Sequence, residues 1–183
     1  MANFMDMVKN AQTQAQREGD YLLPHQRGTL LIKRMEATTG QGGKFVVTLG
    51  KIVSVVSTKE GKPTQPVGSM GKIWRGLYGN AKKVSANFAN LKSDVMAITG
   101  CSEDDLGEAL SVVFGDDSEG LTDNASEEAQ KRPGFRACGV LVDFETTEVV
   151  DKTDPTKKYD RVRLINHKSN NEPEDILKRQ SEF

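Results

Sequence analysis

The chain has 183 residues, of which 36% are hydrophobic, and its formal net charge is −1. This length favours a single domain with added segments, and no apolar run approaches the roughly 18 residues that a membrane-spanning helix needs. The first residues, MANFMDMVKN, lack the basic-then-apolar layout of a secretion signal. We therefore expect a cytoplasmic protein without a membrane partner, and the sequence leaves homo-oligomerisation open.

Cysteine and histidine are too sparse and too scattered for a conventional metal site. Cys101 and Cys138 are separated by 36 residues, and neither His25 nor His167 lies beside a cysteine pair. The P-loop, H-E-x-x-H, G-x-S-x-G and C-x-x-C motifs are missing, and the glycine-rich TGQGGK stretch lies between two predicted strands instead of before a helix. We expect free thiols, no metal, no cofactor and no catalytic activity.

Charge is strongly segregated along the chain. Residues 27–92 hold twelve Lys or Arg and two acids, a balance of +10, whereas residues 93–128 hold eleven acids and no Lys or Arg, a balance of −11. A basic stretch of this size creates a field that attracts polyanions. The acidic stretch is either a solvated surface or a competitor for the basic one.

The first predicted element is a short amphipathic helix or arm over residues 2–18, where Phe4, Met5 and Val8 have helical spacing. A glycine and a proline end it. Three strands rich in β-branched residues follow. They cover residues 29–38, 44–57 and 67–78.

The second predicted strand is too long to be straight. It contains Gly50 in its middle, where a bend or bulge allows a strand to curl. Residues 58–66 are polar and are typical of an exposed loop. The sequence therefore predicts a curved meander of three strands.

A helical block follows the third strand. Five apolar residues recur at intervals of four, three, four and three and so share one helix face: Val84, Phe88, Leu91, Val95 and Ile98. Asn80 is the expected N-cap and Gly100 the expected end. Ser102 and Asp105 resemble a capping box that opens a second, short helix. Residues 116–134 are acidic and weakly patterned, which favours a loop.

Two further strands complete the pattern. Residues 135–150 alternate apolar and polar side chains, residues 151–158 form a turn, and residues 159–167 resume an extended pattern. The sequence therefore predicts a hairpin, followed by a polar tail.

The order β-β-β-α-β-β matches the connectivity of a five-stranded OB-fold barrel, in which the helix covers one end. A closed sheet also removes the exposed edges of long Val- and Ile-rich strands. A split β-sandwich and an α+β sheet share the order and remain alternatives. We expect a mainly β chain with an N-terminal helical arm over residues 1–26 and an OB-fold domain over 27–167. An acidic helix-loop insertion with an extra short helix covers 101–134, and a flexible C-terminal tail covers 168–183.

Three stretches carry a resemblance to a known family: KFVVTLGKIVSVVS, PVGSMGKIW and NFANLKSDVMAITG. This succession of a strand pair, a Val-Gly-Ser step, a tryptophan-bearing strand and a helix resembles phage single-stranded-DNA-binding proteins and related OB-fold proteins, over residues 29–165. The resemblance implies an OB fold, cooperative binding of single-stranded DNA, and a role in phage DNA replication or recombination in the host cytoplasm.

The resemblance also bears on the C-terminus. Some members of this group end in an acidic tail whose final aromatic residue contacts replication partners, and this chain ends in EPEDILKRQSEF. Phe183 fits the pattern and is the expected contact for replication or recombination proteins. Lys178 and Arg179 depart from it, because they interrupt the acidic run.

Single-stranded DNA requires cations for its phosphates and flat side chains on which its bases stack. In the third strand Trp74 and Tyr78 alternate with Ile73 and Leu77, so we expect the two aromatic residues to face outward. The alternative for Trp74 is burial, and Phe45 is expected in the core. The predicted contacts are Lys33, Arg34, Lys44, Lys51, Lys72, Trp74, Arg75, Tyr78, Lys157, Lys158, Tyr159, Arg161 and Arg163.

A non-catalytic protein-interaction module is the alternative function. It would inhibit a host factor or serve as an assembly component, with the acidic block or the terminal arms as its contact surface. A fold of this kind hosts several unrelated functions, so the strand order does not decide between the two.

Overall fold

The computed structural model describes residues 19–40, 42–114, 130, 135 and 137–171. The strands are β1 (Asp20–Tyr21), β2 (Gln26–Gly40), β3 (Gly43–Ser57), β4 (Met70–Gly76), β5 (Leu141–Val150) and β6 (Lys158–Asn166). The helices are α1 (Ala81–Thr99), α2 (Leu106–Phe114) and a 3-10 helix, Lys168–Asn171. The mainly β organisation predicted from the sequence is confirmed.

The strands form one curled half-barrel sheet in the order β1-β4-β3-β2-β5-β6. The pairing of β1 with β4 is parallel, and the other pairings are antiparallel. The long ladder between β2 and β3 shifts register twice, which leaves Val53 and Lys33 as extra residues in their strands. Such bulges increase the twist and bend a strand, so they explain why this sheet curls.

One face of the sheet, here called the inner face, carries the main hydrophobic core. Leu30, Ile32, Val46 and Ile73 are buried on its first strands and Val142 on β5, and α1 and α2 pack against them. Alternation along each strand sends the side chains between these residues to the opposite face. That opposite face is here called the outer face.

Helix α1 begins and ends where the sequence predicts. The Asn80 side chain accepts a hydrogen bond from the Lys83 backbone N–H at 2.9 Å, and Gly100 adopts a left-handed φ of 71°. The predicted apolar face is buried only in its second half, since Leu91 is buried whereas Phe88 is 49% exposed and Val84 is half-buried. The first turns of the helix therefore project past the sheet.

The five predicted strands are all present, and a sixth, β1, was not predicted. It lies within residues 19–26, which the sequence assigns to a helical arm. Leu22 after β1 is buried against Gly71, and this packing anchors the segment beside β4. The start of the assigned tail, Lys168–Asn171, is a 3-10 helix. The predicted helix over 2–18, most of the loop over 116–134, the rest of the tail and Phe183 lie outside the described residues.

Candidate nucleic-acid interface

The outer face collects side chains from five strands. On β4 it carries Met70, Lys72 and Trp74, and on β3 it carries Phe45, Val47, Leu49 and Lys51. Beyond the bulges it continues through Arg27 and Thr29 on β2, Asp143 and Glu145 on β5, and Arg161, Arg163 and Ile165 on β6. Five of the thirteen residues predicted to bind nucleic acid thus belong to one surface: Lys51, Lys72, Trp74, Arg161 and Arg163.

An aromatic cluster of Phe45, Trp74 and Tyr78 lies at one end of the outer face. The rings of Phe45 and Trp74 are stacked, with centroids 3.7 Å apart and planes 15° apart. Phe45 is 2% exposed, so its predicted burial is confirmed, whereas Trp74 and Tyr78 are half-buried. Tyr78 lies against Gly42 and Gly43 in the turn between β2 and β3, where any added Cβ would meet its ring. The cluster is a preformed aromatic surface that remains partly open to solvent.

Three of the predicted cations on β2 and β4 are engaged with the protein. Lys72 is 9% exposed, and its Nζ lies 4.8 Å from the ring centroid of Tyr21. Arg34 Nε lies 3.7 Å from a carboxylate oxygen of Glu36. Lys33 is the half-buried bulge residue of β2. These three side chains pack within the sheet and project little from the outer face.

Exposed cations occupy the rest of the outer face. Lys51, Arg161 and Arg163 are exposed, and so is Arg27, which was not among the predicted contacts. Within the described residues none of these four side chains forms an ion pair. They are the groups best placed to contact phosphates.

Arg75 lies on the inner face, and the prediction that it contacts nucleic acid is therefore corrected. It is 8% exposed, its Nε donates to Asp94 Oδ2 at 2.7 Å, and its Nη2 donates to Asp94 Oδ1 at 3.1 Å. Nη2 also donates to the backbone carbonyl of Val162 at 2.9 Å. Burial raises the pKa of Asp94, and the hydrogen bonds and charge of Arg75 oppose that rise. This side chain joins β4, α1 and β6.

The turn between β5 and β6 holds three of the predicted contacts in local interactions. Lys157 pairs with Asp154 at 3.0 Å, and Lys158 pairs with Glu148 at 2.9 Å. The Tyr159 hydroxyl donates to Asp151, and hydrogen bonds from Thr153, Tyr159 and the backbone hold the pKa of Asp151 below its usual range. All three predicted side chains are nonetheless exposed.

Lys44 is half-buried and lies two residues before Val46, so the two share the inner side of β3, away from the outer-face cations. Lys83 occupies a more favourable position, because its Nζ lies 5.7 Å from the ring centroid of Tyr78. The sequence contained a signal for it, since Lys82 and Lys83 follow the aromatic strand directly and stand in the first helical turn without an acidic neighbour there. Arg27 had no such signal, because only strand pairing places it opposite β5.

In the part of the chain that the structure describes, no helix is long and apolar enough to cross a membrane. The same residues include no group of three or more His, Cys, Asp or Glu side chains arranged to hold a metal ion. A scan against protein-family models finds no match to this chain, and no curated protein matches it.

Proposed function

We propose that this protein binds single-stranded DNA on the outer face of an OB-type barrel and has no catalytic role. One observation carries the proposal: four exposed cations, Arg27, Lys51, Arg161 and Arg163, share a sheet face with a partly open aromatic cluster. Single-strand binders combine these two features, because cations follow the phosphates and aromatic rings stack with bases of any sequence.

The strand order supports an OB-type barrel. The five long strands follow the order β4-β3-β2-β5-β6, which is the cyclic order of an OB barrel opened between its third and fifth strands. The bond from Arg75 to the Val162 carbonyl spans that opening. Helix α1 contacts both β4 and β6, as expected for a helix that covers the end of such a barrel. OB folds bind oligonucleotides on the face of their second and third strands, which correspond here to β3 and β4.

The role we propose is to coat or protect single-stranded DNA during phage DNA replication or recombination. Its basis is the resemblance of the strand, Val-Gly-Ser and helix stretches to phage proteins of that kind. The charge segregation fits this role, because a stretch with a balance of +10 provides the electrostatic attraction that sequence-independent binding needs.

The test uses the single tryptophan as a probe. We expect oligo(dT) to quench Trp74 fluorescence at low salt and the quenching to weaken as salt is added, because phosphate contacts release counterions. A double variant, Arg161→Gln with Arg163→Gln, should weaken binding about tenfold and reduce the slope of log K against log salt by about 1.4. The matched control is Lys62→Gln with Lys152→Gln, which removes two exposed charges from the connections that follow β3 and β5 and not from the strands of the outer face.

A protein-interaction module is the second candidate, and the exposed apolar side of α1 favours it. Phe88 is 49% exposed, and a large exposed apolar side chain is a common partner contact. Absence of both quenching and a gel shift at low salt would reject DNA binding and leave this second candidate. Equal losses in the arginine variant and the lysine control would reject the outer face as the binding surface.

A further inference from the structure

A groove of about 460 Å³ opens on the outer face where β3, β2, β5 and β6 lie side by side. It shares β3 with the aromatic cluster but uses the opposite end of that strand, since Phe45 lies near its start and the groove residues Ser54 and Val56 lie near its end. The groove is mixed in character. Its polar lining includes Arg27, Thr29, Asp143 and Glu145, and its apolar lining includes Val56 and Ile165.

The strand register explains this arrangement. One row across the four strands consists of Val56, Arg27, Glu145 and Arg163, and the next consists of Ser54, Thr29, Asp143 and Ile165. Neighbouring strands are about 4.8 Å apart, so β3 and β6 flank a surface about 14 Å wide. Val56 and Ile165 are 53% and 45% exposed, and they form apolar flanks on either side of a polar centre.

The polar centre presents carboxylates that have unused hydrogen-bonding capacity. Thr29 Oγ1 donates to Asp143 Oδ1 at 2.8 Å, and His167 Nε2 lies 3.8 Å from the same oxygen. Glu145 is exposed and faces Arg27 and Arg163 across the ladder, yet no ion pair joins these three side chains in the described structure. Ionised carboxylates accept hydrogen bonds and cannot donate them, so a ligand that bonds to them must bring donor groups, such as the N–H groups of an amine.

The strand positions also restrict the kind of ligand. β2 is hydrogen-bonded to β3 and β5, and β5 is hydrogen-bonded to β2 and β6. The centre of the groove therefore offers no free strand edge to which an extended peptide could add. Recognition there depends on side chains, with arginines available for phosphates, apolar flanks for a ring, and carboxylates for amino groups.

We propose that this groove is a base-binding subsite that selects bases with an exocyclic amino group, cytosine above all, over thymine. The inference rests on the proposed function, because the groove lies on the same face as the DNA-binding cations. Carboxylate side chains accept from the N4 amino group of cytosine, whereas thymine has a carbonyl at the equivalent position and would meet the carboxylates acceptor to acceptor. Arg27 and Arg163 would hold the phosphates that flank the bound base.

The experiment compares binding of labelled oligo(dC) and oligo(dT) of equal length by fluorescence anisotropy at low salt and neutral pH. We expect wild-type protein to bind oligo(dC) about fivefold more tightly, a modest preference for one hydrogen-bonded base contact. Glu145→Thr and Asp143→Thr should each bring the ratio of the two affinities close to one. Asp160→Thr is the matched control, since it removes the same charge from an exposed β6 position outside the groove and should shift both affinities equally.

The outcomes separate this inference from the function on which it rests. If neither oligonucleotide binds, both are overturned. If wild-type protein binds the two equally, or if its preference survives in both groove variants, the subsite is overturned and the proposed function stands. The wild-type comparison needs no variant, and a thermal melt of each variant shows whether a changed ratio comes from a folded protein.

Discussion

Arg75 illustrates how a basic side chain in a cationic strand becomes a structural group. Its two neighbours in the chain, Trp74 and Gly76, lie on the outer face, and alternation turns Arg75 towards α1. There it meets Asp94, whose side chain is 2% exposed, in a two-point ion pair. The sequence alone indicates which face Arg75 takes, but the existence of an acid at that point depends on how the helix packs.

This ion pair supports the first prediction. Asp94→Ala should lower the free energy of unfolding by about 3–5 kcal/mol, because it leaves the Arg75 guanidinium buried without a counter-charge. The double variant Arg75→Met with Asp94→Leu should lose much less than the sum of its single variants, since it removes both charges together. Urea unfolding of wild type, Arg75→Met, Asp94→Leu and the double variant measures the coupling. Additive losses would show that the two charges act independently.

The aromatic cluster contains a second residue contact that the sequence alone does not predict. Alternation along β4 is enough to place Trp74 on the outer face, but it does not indicate what Trp74 packs against. The Phe45 ring of β3 stacks on Trp74 of β4 and lies against Gly40 of β2, where an added Cβ would come within 2.8 Å of that ring. A contact of this kind depends on the register between two strands, which periodicity within one strand does not determine.

Among the elements, α1 was the most predictable and still differed in one respect. A cap, a stop and a repeat of three and four residues are local signals, so the helix and its limits follow from the sequence. Periodicity indicates which side of a helix is apolar, but it does not indicate how far a partner sheet extends along that side. Phe88 lies on the predicted face beyond the region that the sheet covers.

One face of α1 therefore allows truncation of a buried apolar residue to be compared with truncation of an exposed one. Leu91→Ala should lower the free energy of unfolding by about 2–5 kcal/mol, because Leu91 is 3% exposed and its truncation leaves a cavity. Phe88→Ser should change the free energy of unfolding by no more than about 0.5 kcal/mol, as is typical of surface positions. Thermal or urea denaturation of the two variants measures both changes in the free energy of unfolding. A large loss for Phe88→Ser would mean that its ring is covered in solution.

At the scale of the whole molecule, the succession of the five long strands along the chain was the most predictable property and sheet closure the least. Each of the five long strands has its own local signal, and antiparallel neighbours follow from short connections. The short strand β1 has only two residues and gains its place from packing of Leu22, so no periodic pattern could reveal it. The bulges at Lys33 and Val53 arise from cross-strand register, and the prediction placed the bend at Gly50 instead.

Charge segregation is also a property of the whole chain, and the described part of the acidic stretch is already partly neutralised. Asp94 is paired with Arg75, and Glu103 is paired with Lys92. The lowered pKa of Glu103 has the hydrogen bond and charge of Lys92 as its main causes. The acids that remain to compete with DNA for the outer face are therefore mainly those further along the sequence.

The last prediction tests that competition. Replacing Asp116, Asp117, Glu119 and Asp123 with their amides should tighten oligonucleotide binding at low salt by roughly fivefold, or about 1 kcal/mol, because charges of the same sign as the ligand repel it. Substitution is preferable to deletion here, since Gln130 just beyond is buried and its backbone carbonyl accepts from the Ala137 N–H at 2.8 Å. The gain in affinity should shrink towards zero near 1 M salt, where the Debye length is about 3 Å.

The control leaves the charge unchanged and combines three substitutions: Ser118→Ala, Thr122→Ala and Ser126→Ala. An affinity at low salt equal to that of wild type would mean that the acidic segment is a solvated surface without influence on the bound strand.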